Sequence, residues 1–166
     1  MIRNRITVIG SSGRVSREIT TLAEEIGRVI AQNGAILISG GKNGVMEAAS
    51  KGAKSANGIT VGILPEAYES AANPFIDIPL ATGIGYARNF INIVSGNSII
   101  SLAGSSGTLS EIGYAIALEK RLILMEGTGG VTEMIINHMD LFPNADIHTA
   151  ENGEQAVRIA LDLENP

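Results

Sequence analysis

Short apolar runs rich in β-branched residues alternate with helix-patterned segments along this chain, and that alternation constrains its fold more than any other feature. The first run, at 6–9, ends at Gly10. Ile19, Leu22, Ala23, Ile26, Val29 and Ile30 then recur at spacings of three and four, the apolar stripe of an amphipathic helix. Asn33-Gly34 closes that helix, as a residue tolerant of left-handed backbone does at a helix C-terminus. The same logic predicts strands at 35–38, 59–64, 98–102 and 121–125, and helices at 45–56, 88–95, 109–118 and 131–139. Shorter strands are expected at 76–80, where Pro79 weakens the strand pattern, and at 145–148. A helix around 155–163 closes the pattern, and 66–73 reads as a polar loop. Strand-helix alternation of this kind implies right-handed crossovers and a mostly parallel sheet flanked by helices on both faces, an α/β, Rossmann-like three-layer fold. No linker, repeat or low-complexity tract interrupts residues 1–166, so one domain is expected.

Composition narrows the function classes. Aromatic residues make up 4% of the chain and Trp is absent, so the core falls to Ile, Val, Leu and Ala. A net charge of −5 and the lack of any Lys/Arg cluster argue against general nucleic-acid affinity. Without cysteine there is neither a disulfide framework nor a thiolate metal site. His138 and His148, the two histidines, have no ligand-spaced partners, so no metal is expected. No apolar run reaches the roughly 20 residues needed to span a bilayer, and the N-terminal residues lack the apolar region of a signal peptide. A cytoplasmic protein without membrane contact is expected.

Three glycine-rich loops carry the chemistry: Gly10-Ser11-Ser12-Gly13, Gly40-Gly41-Lys42-Asn43-Gly44 and Gly104-Ser105-Ser106-Gly107-Thr108. Each follows an expected strand and precedes an expected helix, so all three emerge on the carboxyl edge of the sheet, where doubly wound folds bind ligands. Glycine permits close backbone approach. Helix starts supply free N–H groups and partial positive charge, and the hydroxyls add donors. Tight turns alone would also use glycine, but three such loops on one edge favour a site for a phosphate-bearing ligand.

At this point a resemblance enters. Residues 38–53, with Gly40-Gly41, Gly44 and Met46, resemble the GG-x-x-G-x-M segment of the family once misnamed lysine decarboxylases. That family holds the LONELY GUY-type phosphoribohydrolases and the molybdenum-cofactor carrier proteins, and is distantly related to the DNA-processing protein Smf. Residues 83–89, ending in Arg88-Asn89, resemble its arginine segment, and residues 103–111 its P-G-G-x-G-T-x-x-E motif. Residues 61–65 and 72–79 look most like the short subgroup with the cofactor carriers.

The resemblance implies that Arg88 and Glu111 match the catalytic pair of the hydrolases, with Asn89 beside them in the ligand site. It implies a homodimer or homotetramer, and either the molybdenum cofactor or a nucleoside monophosphate as the bound ligand. Physically, a guanidinium grips phosphate and a carboxylate stabilises a developing oxocarbenium ion. Alternative roles stand beside these. Thr108-x-x-Glu111 fits a capping box, Arg88 suits a surface ion pair, and Lys42 either reaches phosphate or is solvated. The motif's proline is Ala103 here, its second glycine is Ser105, and the basic residue after the arginine is Asn89. These departures favour a binder or carrier over a hydrolase. An NAD(P)-dependent oxidoreductase ranks last, because residues 10–16 give only a degenerate glycine fingerprint and the second strand ends without the acidic residue that holds ribose.

Overall fold

The computed structural model describes residues 4–163. Its centre is a seven-stranded sheet in the order β4-β3-β2-β1-β5-β6-β7, with every neighbouring pair parallel. The strands are β1 (Arg5–Gly10), β2 (Ile36–Ser39), β3 (Thr60–Leu64), β4 (Ile78–Ala81), β5 (Ser98–Leu102), β6 (Arg121–Met125) and β7 (Ile147–Ala150). Six α-helices flank them: α1 (Arg17–Gln32), α2 (Val45–Ser55), α3 (Arg88–Ser95), α4 (Ser106–Ala117), α5 (Gly130–Ile136) and α6 (Gly153–Ala160). The fold is therefore the α/β, Rossmann-like one that the alternation predicts. Pro79 sits in β4, an edge strand, where its missing N–H breaks no central ladder.

Two apolar layers sandwich the sheet. Ile6 and Val8 face α1, α2 and α6, whereas Ile9 and Ile99 pack under α3, α4 and α5 with Ile93, Ile112 and Ile135. Both layers are nearly all aliphatic, as a chain without Trp requires.

From β1 the chain winds outward through β2 and β3 to β4, then returns to place β5 on the other side of β1. The loops after β1 and β5 consequently run in opposite directions, which opens a crevice at the carboxyl ends of these two strands.

Boundaries differ from expectation at several places. The fourth helix begins at Ser106, three residues before the apolar pattern starts at Leu109, because the loop residues themselves form its first turn. The fifth ends at Ile136, and residues 139–141 form a separate 3-10 turn. The fourth and seventh strands begin two residues later than read, at Ile78 and Ile147.

Candidate functional site

The crevice at the switch point is a small cleft of about 100 Å³, lined among others by Gly10, Gly40, Arg88, Asn92, Ser106 and Glu111. The loops around it are tied together. The Gly104 amide donates to Ser11 Oγ (2.9 Å), the Val45 amide to the Ser11 carbonyl (3.0 Å), and the Gly13 amide to Asn43 Oδ1 (2.8 Å). Ser11, Gly13, Gly44 and Gly104 therefore build the walls, as does Gly41, which packs on Gly62 and Leu64. Gly10, Ser12, Gly40, Asn89, Ser105, Ser106, Gly107 and Thr108 line the cleft together with Arg88 and Glu111.

The loops differ in what they offer an anion. The first does not open directly onto a helix. The chain runs on to Ser16, whose hydroxyl caps α1 by accepting from the Ile19 amide (3.3 Å). The second gives its first helical amide, that of Val45, to Ser11. The third leads straight into α4, whose N-cap Ser105 makes no side-chain capping bond. The first amides of α4 have no partner within the helix, so they and the helix dipole are available at the cleft.

Arg88 opens α3, and its guanidinium lies across Gly40, where any Cβ would overlap it. Nη1 donates to the Ile63 carbonyl (2.7 Å), while Nε is buried without a partner. Arg88 is thus half-buried in the cleft wall and makes no salt bridge, which corrects the surface ion-pair reading. Burial lowers its pKa, opposed by the nearby charges of Glu111 and Glu66.

Glu111, 7% exposed, sits one turn further into α4 than a capping glutamate would. Thr108 is the third residue of the helix rather than its cap, so the capping-box reading is wrong: the helix starts early. Glu111 Oε1 instead accepts from Asn92 Nδ2 (2.7 Å). Burial raises the carboxyl's pKa, while the Asn92 hydrogen bond and the Arg88 charge pull it down. Asn89 Nδ2 donates to Ser110 Oγ (2.9 Å) and so steadies the first turns of α4 against α3.

Lys42 is neither solvated nor free for phosphate. Its Nζ pairs with Glu66 Oε1 (2.7 Å) and donates to the Ala71 carbonyl (3.0 Å). The lysine bond holds Glu66 below the usual carboxylate range. His148 bonds Asp146 and His138, just past α5, bonds the Met134 carbonyl of that helix, and the described residues contain no metal-ligand cluster. No described helix is long and apolar enough to cross a membrane.

Residues 3–157 match the SLOG cluster4 family. The chain belongs to that family. An uncharacterised protein of Archaeoglobus fulgidus is 45% identical over 118 residues, covering 71% of this chain and 77% of its own. The molybdenum cofactor binding protein of the phototrophic bacterium Rippkaea orientalis is 32% identical, with a TM-score of 0.87 and 98% of both chains covered. The molybdenum cofactor carrier protein of Chlamydomonas reinhardtii is also 32% identical over 98% of both chains, with a TM-score of 0.83. DNA processing protein A of Helicobacter pylori shares the fold at 18% identity, with a TM-score of 0.75, 98% of this chain covered and 82% of that one. The carrier-protein resemblance inferred from the glycine motifs is thus found, and the likeness to DNA processing protein A is one of fold.

Sequence reading did not place Asn92 or Tyr86 in the site and took Met46 only as a motif residue, yet all three line the cleft. Asn92 had a usable signal. It stands one helical turn after Arg88 in an otherwise apolar stretch, Phe90 to Val94, so it shares the arginine's face.

Proposed function

We propose that this member of the SLOG cluster4 family holds the molybdenum cofactor, a phosphorylated pterin, as a bound cargo, with the phosphate at the start of α4. The observation that carries the reading is the uncapped α4 N-terminus in the switch-point cleft, beside the unpartnered Arg88 Nε and Asn92 Oδ1. Donors at the rim and an unfilled acceptor at the floor suit a phosphate attached to a group rich in N–H and O–H. The cofactor-binding names of two relatives that match 98% of the chain support the same ligand. At about 100 Å³ the cleft is well below the roughly 300–1,000 Å³ of a full small-molecule site, so it fits the phosphate end and leaves the pterin over the loop rim. The low charge of the surrounding helices offers no row of cations to track a nucleic-acid backbone. The test is to mix the purified protein with cofactor released from a molybdoenzyme, pass it over a sizing column, and measure molybdenum and oxidised pterin in the protein peak. Retention by the wild type and its loss in Gly107→Asp, which puts a carboxylate at the α4 start where it repels the phosphate, is the expected result. Free passage of the cofactor, or equal retention by both proteins, overturns the reading.

A second reading, a nucleoside 5'-monophosphate phosphoribohydrolase, is favoured by one observation: a buried carboxyl of raised pKa, Glu111, shares the cleft with Arg88. Its test is the release of free base from AMP by the wild type and not by Glu111→Gln, followed by chromatography.

A second copy of the chain is the occupant we propose for the outer face of α3 and α4. The strand register puts Ile78 and Leu80 of β4 on the α3 side of the sheet, and both are exposed. Phe90 and Val94 of α3 continue this surface to Tyr114 of α4 and to Leu118 just past its end, joined by an edge-to-face contact of Phe90 with Tyr114 (5.4 Å). Arg88 and Glu111 are the sole charges on the two helices, and both are turned into the cleft. An apolar face without charge is self-complementary, as a two-fold interface demands. Tyr86, 84% exposed at the cleft mouth, borders this face, so a second copy would also shelter the site.

A further inference from the structure

Asn92 is 1% exposed and lies on α3 one turn past Arg88. Its amide group has a fixed sense. Nδ2 donates to Glu111 Oε1 (2.7 Å), which turns the amide carbonyl away from the carboxyl. The backbone carbonyl of the same residue is anchored separately, by the Thr7 hydroxyl of β1 (3.0 Å), which holds the side chain in place. Asn92 Oδ1 is then a buried acceptor with no partner in the protein, on a residue that lines the cleft. An unfilled buried carbonyl carries a desolvation penalty that an apolar side chain of similar size would avoid. The donor it lacks has to come from the cleft. Glu111, its neighbour at the floor, is likewise an acceptor when ionised, whereas the rim offers donors: the first amides of α4.

We propose that Asn92 is a specificity-determining residue of this site. Its carbonyl accepts a hydrogen bond from a hydroxyl or N–H group of the ligand, while its NH₂ holds the Glu111 carboxylate in position. The site therefore selects phosphate esters that carry a hydrogen-bond donor a few bonds from the phosphorus, and discriminates against esters of the same size without one. This rests on the reading of the α4 start as the phosphate subsite, and adds recognition of a donor group of the ligand close to that phosphate.

Two small esters separate the donor from the anion: glycerol 3-phosphate and n-propyl phosphate, which share a carbon skeleton and differ by two hydroxyls. Titrated into ¹⁵N-labelled protein, each reports through the backbone amides of residues 106–108 for the phosphate and through the Asn92 side-chain NH₂ for the floor. The expected result is that both move the 106–108 amides, that only glycerol 3-phosphate moves the Asn92 NH₂, and that it binds about tenfold more tightly. Asn92→Leu brings its affinity down to that of propyl phosphate. Asn92→Asp keeps an acceptor and so keeps the preference, but makes it depend on pH, because two facing carboxyls share a proton. Equal affinities of the two esters for the wild type, with the 106–108 amides still moving, overturn the role of Asn92 and leave the phosphate subsite standing. If neither ester moves those amides, the phosphate reading and this one both fall.

Discussion

The helices on the two faces of the sheet are built to different rules. On the first face α1 and α2 approach so closely that two glycines are obligatory: a Cβ on Gly27 would overlap the Ala49 carbonyl, and one on Gly52 the Glu24 carbonyl. Their outer surface is charged, with Lys51 bridging to Glu24 (2.7 Å). Gly153 at the start of α6 also donates to Glu25 (3.2 Å). On the second face α3 and α4 pack less tightly, carry one charge each, and leave aromatic and aliphatic side chains outside. The first face is finished by solvent. The second holds the cleft and ends in an apolar surface that solvent does not suit.

Breaking the tight face has the largest expected effect. Gly52→Ala would ordinarily gain up to about 1 kcal/mol in a helix interior. Here the clash is with backbone, which has no rotamer to escape into, so overpacking wins at roughly 3 kcal/mol or more. Thermal unfolding should fall by about 6–12 °C. An unchanged midpoint would show that the two helices have room to part.

On the other face, Ala103→Pro tests the loop before α4 at nearly the same size. Ala103 has φ 49° and its amide donates to Thr128 Oγ1 (2.9 Å), so a proline there loses a bond and cannot adopt the backbone. A loss of about 3 kcal/mol is expected in a denaturant titration. This position shows what sequence can and cannot carry. The motif comparison registers that a proline is missing. The left-handed turn that forbids it is a backbone property, fixed by Thr128 and by Thr132, whose amide and hydroxyl both donate to the Ala103 carbonyl.

The same division runs through the whole fold. Alternating periodicities were enough to place all seven strands and six helices, because the central strands are buried apolar runs and the helices between them turn apolar residues to the sheet. Arg88, Glu111 and the glycine loops were legible as motif residues. Which loop presents free amides was not, since that depends on Ser16 capping α1 and Ser11 engaging Val45. Asn92 was passed over because its importance lies in a partner, Glu111, that stands 19 residues away and comes near only in the fold.

The apolar face is tested by Phe90→Glu. It places a charge where we expect a second copy, and a contact of this kind carries about 2–3 kcal/mol, so dissociation should become roughly 30- to 150-fold easier in sedimentation experiments. If the wild type is already monomeric at high concentration, the contrast between the faces needs another partner.

A smaller, pH-dependent effect belongs to the cleft. Because burial raises the folded pKa of Glu111 above its ordinary 4.5, the folded state holds that proton more tightly than the unfolded chain does. Stability from this group is complete below about pH 4.5 and is lost as pH rises through its raised folded value. Glu66, lowered by Lys42, works in the opposite sense and loses its contribution as pH falls below its ordinary 4.5. Glu111→Gln should therefore be more favourable relative to wild type at pH 7 than at pH 4, measured by denaturant titration at both. The reverse trend would mean that Arg88 and Asn92 outweigh burial.

The smallest effect is also the sharpest contrast with Gly52. Gly113 lies on the exposed side of α4, and a Cβ there meets nothing within 4 Å. The substitution that wrecks the α1–α2 contact should here gain about 0.5–1 kcal/mol by restricting the unfolded chain and improving helix propensity. That is roughly 1–4 °C in the unfolding midpoint. The gain is best read in the Phe90→Glu background, where no second copy covers the helix. If Gly113→Ala stabilises that monomer but weakens association of the otherwise wild-type chain, the glycine is a point of close approach between copies. The second face then has a tight contact of its own, formed across the dimer instead of within the fold.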